Sequence, residues 1–176
     1  MAAEPVAGVA VTGAGVSESC LLIVDVQAGF LTKATRHIPA SVEAAQAGYE
    51  HVVATRFFNP ENSFFRTLLD WDRCAPGSPD IPLAFEARPD ALILDKPGYT
   101  CVSAEFLAWL REHNISVVHV CGIETDICVT QCAVNLFESG IEPVVLGGLC
   151  ASCAGKAAHA RGLATLARYI GRNQIR

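Results

Sequence analysis

No stretch of this chain reaches the roughly 18 consecutive apolar residues that a membrane-spanning helix needs, although 51% of its residues are hydrophobic. Basic residues are sparse and scattered. Lys and Arg number 13 against 18 Asp and Glu, for a net charge of -5, and they never cluster, which leaves no electrostatic footprint for nucleic acid. Residues 1–19 lack a positively charged start ahead of an apolar core. Built mostly from Ala, Gly, Val, Thr and Ser, they read as a flexible leader and not as a secretory signal. Internal repeats and low-complexity tracts are missing too. These absences point to a cytoplasmic protein without membrane or nucleic-acid partners, acting on small molecules or assembling with copies of itself. The 176 residues suffice for one substantial core, so a single domain over residues 20–176 is expected.

Cysteine, by contrast, is plentiful. Cys20, Cys74, Cys101, Cys121, Cys128, Cys132, Cys150 and Cys153 could in principle form a disulfide framework. Several sit inside apolar strand or helix patterns, however, so reduced, buried thiols are expected.

Taken in order, residues 20–26 form an apolar run interrupted by Asp25, the pattern of a strand buried on both faces. A short helix follows over 38–49 and a second strand over 52–56. Residues 57–71 are dense in aromatics, with a helix expected from Ser63, and 72–89 make a long ordered loop or lid. A third strand, 91–96, ends in Lys96. An amphipathic helix over 103–113 is capped by Ser103, with Phe106, Leu107 and Leu110 facing inward. The fourth strand, 115–121, is broken by Gly122. Thr125 is the expected N-cap of a helix closed by Gly140, placing Cys128 near its third position. A fifth strand over 143–147, a helix over 156–170 and a possible edge strand over 173–176 complete the chain. Alternating strands and helices imply an α/β fold, a three-layer α/β/α sandwich around a mainly parallel five- or six-stranded sheet. Its active crevice lies at the carboxyl ends of the strands.

Asp25, Lys96 and Cys128 each end or closely follow an apolar strand, so the sheet gathers an acid, a base and a thiol on one edge. Together they suggest a nucleophile with its own proton acceptor. Moving a proton from an ordinary thiol to an ordinary carboxylate is uphill by roughly 6 kcal/mol. Lys96 and the helix N-terminus are expected to narrow that gap by favouring thiolate.

The motifs LIVDVQ (22–27), DKPGY (95–99) and GIETDICV (122–129), followed by Ala133, Gly140, Ala151, Ser152 and His159, resemble the isochorismatase-like cysteine hydrolase superfamily. The resemblance runs from about Cys20 to the C-terminus. It implies a Rossmann-like sheet, cleavage of amide or related C–N bonds, and homo-oligomers, dimers or tetramers, with no cofactor. Carried over, Cys128 is the nucleophile, Asp25 the general base and Lys96 the cation holding the pair. The resemblance also implies a cis peptide between Ile123 and Glu124 that aims the N–H groups of Glu124 and Cys128 into an oxyanion hole.

Several departures narrow this expectation. Metal-dependent nicotinamidases carry histidine ligands between the second and third strands; residues 55–63 here hold none, so no metal is expected. Isochorismatases proper cleave a vinyl ether without a cysteine nucleophile, and Cys128 therefore favours amide or ureido substrates. Residues 146–149 read LGGL where the family often has an acid. The CxxC spacing of Cys150 and Cys153 lacks the partners of a zinc site. Cys132 reads as a small core residue, and His119 and His159 as structural histidines. Phe30, Phe57, Phe64, Phe65, Trp71, Tyr99 and Ile127 are expected to wall a pocket for a planar, partly apolar amide. The competing function is a catalytically idle relative that binds small molecules or partners through the same pocket.

Overall fold

The computed structural model describes residues 20–176; the expected leader, 1–19, lies outside the described residues. Five strands form the sheet: β1 (Cys20–Val24), β2 (His51–Phe57), β3 (Leu92–Lys96), β4 (Val117–Ile123) and β5 (Glu142–Ala151). Their order is β3-β2-β1-β4-β5, and every neighbouring pair is parallel. The chain therefore lays strands outward on one side of β1 and then returns to lay two on the other. That reversal opens a crevice beyond the carboxyl ends of β1 and β4, where the polar residues following these strands emerge.

β1 is central and wholly buried, every side chain from Cys20 to Val24. Burial of side chains the size of Leu22 or Ile23 contributes about 1.5–3 kcal/mol each. Helices α1 (Ile38–Ala45), α2 (Phe64–Thr67), α3 (Ala104–Glu112) and α4 (Thr130–Glu138) lie in the connections between strands, and α5 (Lys156–Tyr169) follows β5. Serine hydroxyls start two of them: Ser63 accepts from Arg66 N and Ser103 from Phe106 N. Phe106 and Leu110 of α3 are buried, whereas Leu107 is only half-buried. α4 stops at Gly140 (φ +78°), where Ile141 N–H bonds to the Leu136 carbonyl.

Three strand expectations need correction. β4 is not broken at Gly122 but runs through it to Ile123. β5 does not stop at 147 but runs on to Ala151, because its register against β4 slips between Val120 and Gly122. The Gly147, Gly148 pair lets the strand bulge and resume. Residues 173–176 form no strand; a 3₁₀ turn (Arg172–Gln174) precedes a single parallel bridge from Ile175 to Val145. Of the loop or lid expected over residues 72–89, the structure has the ordered loop. Gly29 N–H bonds to Asp80 O, Ala28 N–H to Pro82 O, and Ala84 N–H to Val26 O, which binds the loop to the segment after β1.

At Gly122 (φ +118°), β4 meets β1 so closely that a Cβ would lie 2.2 Å from the Val24 carbonyl oxygen. Only glycine fits there.

All eight cysteines are unpaired, and all but Cys153 are buried. Burial pushes the thiols of Cys20 and Cys150 up to about 12 and that of Cys121 well above the ordinary 9.0. An unfolded chain thus releases these protons first, so folding stability falls as pH rises above the ordinary thiol value. Each thiol contributes a slope of about 1.4 kcal/mol per pH unit. Melting temperature, followed by circular dichroism, should drop steeply between pH 9 and 10.5; a flat profile would contradict this burial.

Candidate active site

Asp25 leaves the end of β1 in the left-handed region (φ +49°), and its side chain is fully buried. A buried carboxylate needs partners. Thr55 Oγ1 donates to Oδ1 at 2.6 Å while accepting from Asp25 N at 3.0 Å. Lys96 Nζ donates to Oδ2 at 2.6 Å. The same ammonium gives its other protons to the carbonyls of Gly98 (2.8 Å) and Tyr99 (3.1 Å) and lies 5.4 Å from the centre of the Phe57 ring. Burial opposes its charge, yet Asp25 and the nearby thiols outweigh that, and Lys96 is held protonated above its ordinary value.

Cys128 completes the cluster from the other side of the switch point. Its residue is 7% exposed, and its thiol lies beside Asp25 and Lys96, close enough to feel both charges. The local geometry differs from the capped α-helix expected there. Residues Thr125–Val129 form a π-helical turn, with extended Glu124 as its N-cap and with Val129 N–H reaching the Glu124 carbonyl at 3.0 Å. Thr125 caps nothing, for its hydroxyl bonds His159 Nδ1 at 2.8 Å. The Ile123–Glu124 peptide is cis. Asp126 accepts from the Ser152 hydroxyl and also packs on Gly162 of α5, where a Cβ would come within 2.8 Å of Asp126 Cα. His159 and Gly162 thus fasten the turn to α5.

The thiol is also less acidic than the helix-terminus argument implies. Burial first, then the Asp25 carboxylate, push Cys128 well above the ordinary range, and Lys96 offsets only part of this. Lys96 already spends its protons on Asp25 and two carbonyls. The resting arrangement is therefore a neutral thiol beside a carboxylate whose charge an ammonium balances.

Above Cys128 opens a cavity of about 240 Å³ lined by Phe30, Phe57, Phe65, Leu69, Trp71, Tyr99, Glu124 and Ile127. Phe30 stacks on Trp71 (5.8 Å), and Phe65 meets Phe57 and Tyr99 edge-on (4.9 and 5.0 Å). Phe64 does not belong to this wall: it is 75% exposed, since neighbouring residues on the single turn α2 point about 100° apart. Leu69 takes a place on the wall that no periodicity announced.

Two buried residues escaped the sequence reading. Thr55 orients Asp25, and its only signal is a hydroxyl at the end of an otherwise apolar strand. Gln27 donates to the carbonyls of Phe57 and Ile81 and accepts from Phe57 N–H, joining the ends of β1 and β2. Cys132, one turn beyond Cys128, lies 3.8 Å from the sulfur of Cys101. His159 is hydrogen-bonded, but His119 is not the fully satisfied histidine expected: its Nδ1 has no partner among the described residues, and the ring packs edge-on against Tyr49.

The isochorismatase domain family matches residues 19–173. Nicotinamidase/pyrazinamidase of Mycobacterium tuberculosis is 30% identical, with 74% of this chain and 85% of that protein covered. Among solved structures, PnC1 from L. infantum in complex with nicotinate superposes with a TM-score of 0.77 at 22% identity, over 87% of this chain and 90% of that one. Pyrazinamidase of Pyrococcus horikoshii in complex with zinc gives 0.76 at 23%, over 90% and 97%. These two share the fold. No group of three His, Cys, Asp or Glu able to hold a metal converges among the described residues. After β2, the Asn59 amide is committed to the carbonyls of Trp71 and Arg73. This donor set does not fit zinc.

Proposed function

Because the chain belongs to the isochorismatase domain family and is an amidase-type hydrolase of C–N bonds, we propose that it cleaves an amide, ureido or carbamoyl bond of a small molecule through a thioester on Cys128. The observation that carries this reading is the Cys128 thiol beside Asp25, whose Oδ2 is 2.6 Å from Lys96 Nζ, at the base of an aromatic cavity.

A planar carbonyl lies over the sulfur between the aromatic walls. As sulfur attacks, the thiol proton passes to Asp25, so thiolate forms only where it is consumed. Backbone N–H groups of Glu124 and Cys128 hold the oxyanion. The tetrahedral adduct collapses, the C–N bond breaks, and Asp25 returns the proton to the leaving nitrogen. Asp25 then takes a proton from water, whose oxygen attacks the thioester. Sulfur leaves and is reprotonated, freeing carboxylic acid and thiol. Lys96 keeps its charge throughout and fixes Asp25 in place.

Eight unpaired cysteines support a reducing, cytoplasmic setting, and the resemblance supports a homo-oligomer. No helix among the described residues is long and apolar enough to cross a membrane.

The direct test is a screen of small carboxamides, ureides and N-carbamoyl compounds for ammonia release, with intact-mass analysis of acid-quenched reactions. An acyl adduct on the peptide containing Cys128 is expected. Binding without release of ammonia from any compound would favour the idle, binding-only alternative.

A further inference from the structure

Among the described residues Glu124 is the only carboxylate on the cavity wall, and no Lys, Arg or His of theirs lines it. The Cys153 thiol beside Glu124 gives its single proton to the Phe30 carbonyl at 3.3 Å. A thiol is a weak donor, so most of the acceptor capacity of Glu124 is left for a ligand. Lys96 offers a ligand anion nothing, because Asp25, Gly98 and Tyr99 take its protons. Arg73, which also lies near Cys153, gives a guanidinium proton to the Gly29 carbonyl and does not line the cavity.

The mechanism above leaves this side chain without work, since it uses only the backbone N–H of Glu124. At about 240 Å³ the cavity is smaller than the roughly 300–1,000 Å³ of drug-sized sites and suits one substituted ring. A carboxylate on such a ring would be desolvated against Glu124 with no cation to balance it. A cationic substituent would meet both the glutamate and the electron-rich rings of Trp71, Phe30 and Tyr99. Burial raises the Glu124 carboxyl above its ordinary value, with the Cys153 thiol opposing the rise. A cation in the cavity would stabilise the ionised form further.

Resting on the hydrolase reading, we infer that Glu124 determines specificity: it selects ring amides carrying a cationic or N–H-bearing group and rejects those carrying a carboxylate. The substrate class is thereby narrowed from amides in general to neutral or basic ones.

Three probes with the same ring and the same amide test this: benzamide, 3-(aminomethyl)benzamide and 3-carbamoylbenzoate. The wild-type enzyme should favour the cation over the anion by about tenfold or more in kcat/KM, as expected for like-charge rejection in a desolvated site. Glu124→Gln should compress that ratio to within about threefold, and the change should fall on KM. Equilibrium binding to Cys128→Ala, by calorimetry, reads the same order without turnover and also serves if Glu124→Gln does not fold. An anion bound as well as the cation, or a ratio unchanged in Glu124→Gln, overturns the inference. Charge-ordered binding with no hydrolysis of any probe would instead fault the hydrolase reading and leave the selectivity standing. If nothing binds and nothing turns over, both fall.

Discussion

Cys128→Ala should lower turnover of any accepted substrate by on the order of 10⁴-fold or more, the scale on which removal of a nucleophile acts. It should also abolish the acyl adduct, with the fold intact. The residue is small and lies at the cavity floor, so its truncation costs little packing. Circular dichroism and the melting temperature should barely change, which separates chemistry from folding. Cys132, one turn away, cannot substitute. It is fully buried beside Cys101 and does not line the cavity. Undiminished turnover in this variant would remove the covalent route altogether.

The second large effect concerns stability as much as catalysis. Lys96→Ala leaves the fully buried Asp25 with its charge unbalanced and only Thr55 donating to its side chain. Breaking one side of such a pair typically costs 3–5 kcal/mol, about 10 °C or more of melting temperature for a chain of this size. Replacing both partners, with Asp25→Asn and Lys96→Met together, removes the stranded charge and should restore much of the stability without restoring activity. The cycle of wild type, two single variants and the double variant measures the coupling. If Lys96→Ala melts with the wild type, the ammonium is not holding the carboxylate as the geometry requires.

How much of this was legible in the sequence depended on contrast. Asp25 and Lys96 stood out because each interrupts or ends an apolar run, and Cys128 because a strand, a glycine and a helix surround it. Thr55 had no such contrast, since a β-branched residue in a strand looks like every other strand former. The π turn was invisible for a related reason: Thr125 has the chemistry of an N-cap, and only the tertiary partner His159 diverts its hydroxyl. The acidity of Cys128 was misjudged because the helix-terminus rule is local, whereas burial and the Asp25 charge come from distant segments. Phe64 and Leu69 exchanged roles since α2 is one turn long, too short for periodicity to fix a face. The double glycine in β5 read as an ending when it was a bulge, because both need the same backbone freedom.

The bridge between Ile175 and Val145 bears on how the molecule meets its neighbours. With Arg176 N–H on the Val145 carbonyl (2.9 Å) and Gly147 N–H on the Arg176 carbonyl (2.6 Å), the last two residues shield part of the outer edge of β5. The opposite edge, β3, has no strand beyond it among the described residues. It is short, and the ion pair of Asp95 with Arg56 of β2 (2.7 Å) lies along it, which is how natural sheets discourage strand-to-strand aggregation. The described residues thus protect the two flanks of the sheet by different means, an ion pair on one and residues 175 and 176 on the other. Displacing residues 175 and 176 would therefore expose a sheet edge that carries no comparable ion pair among the described residues.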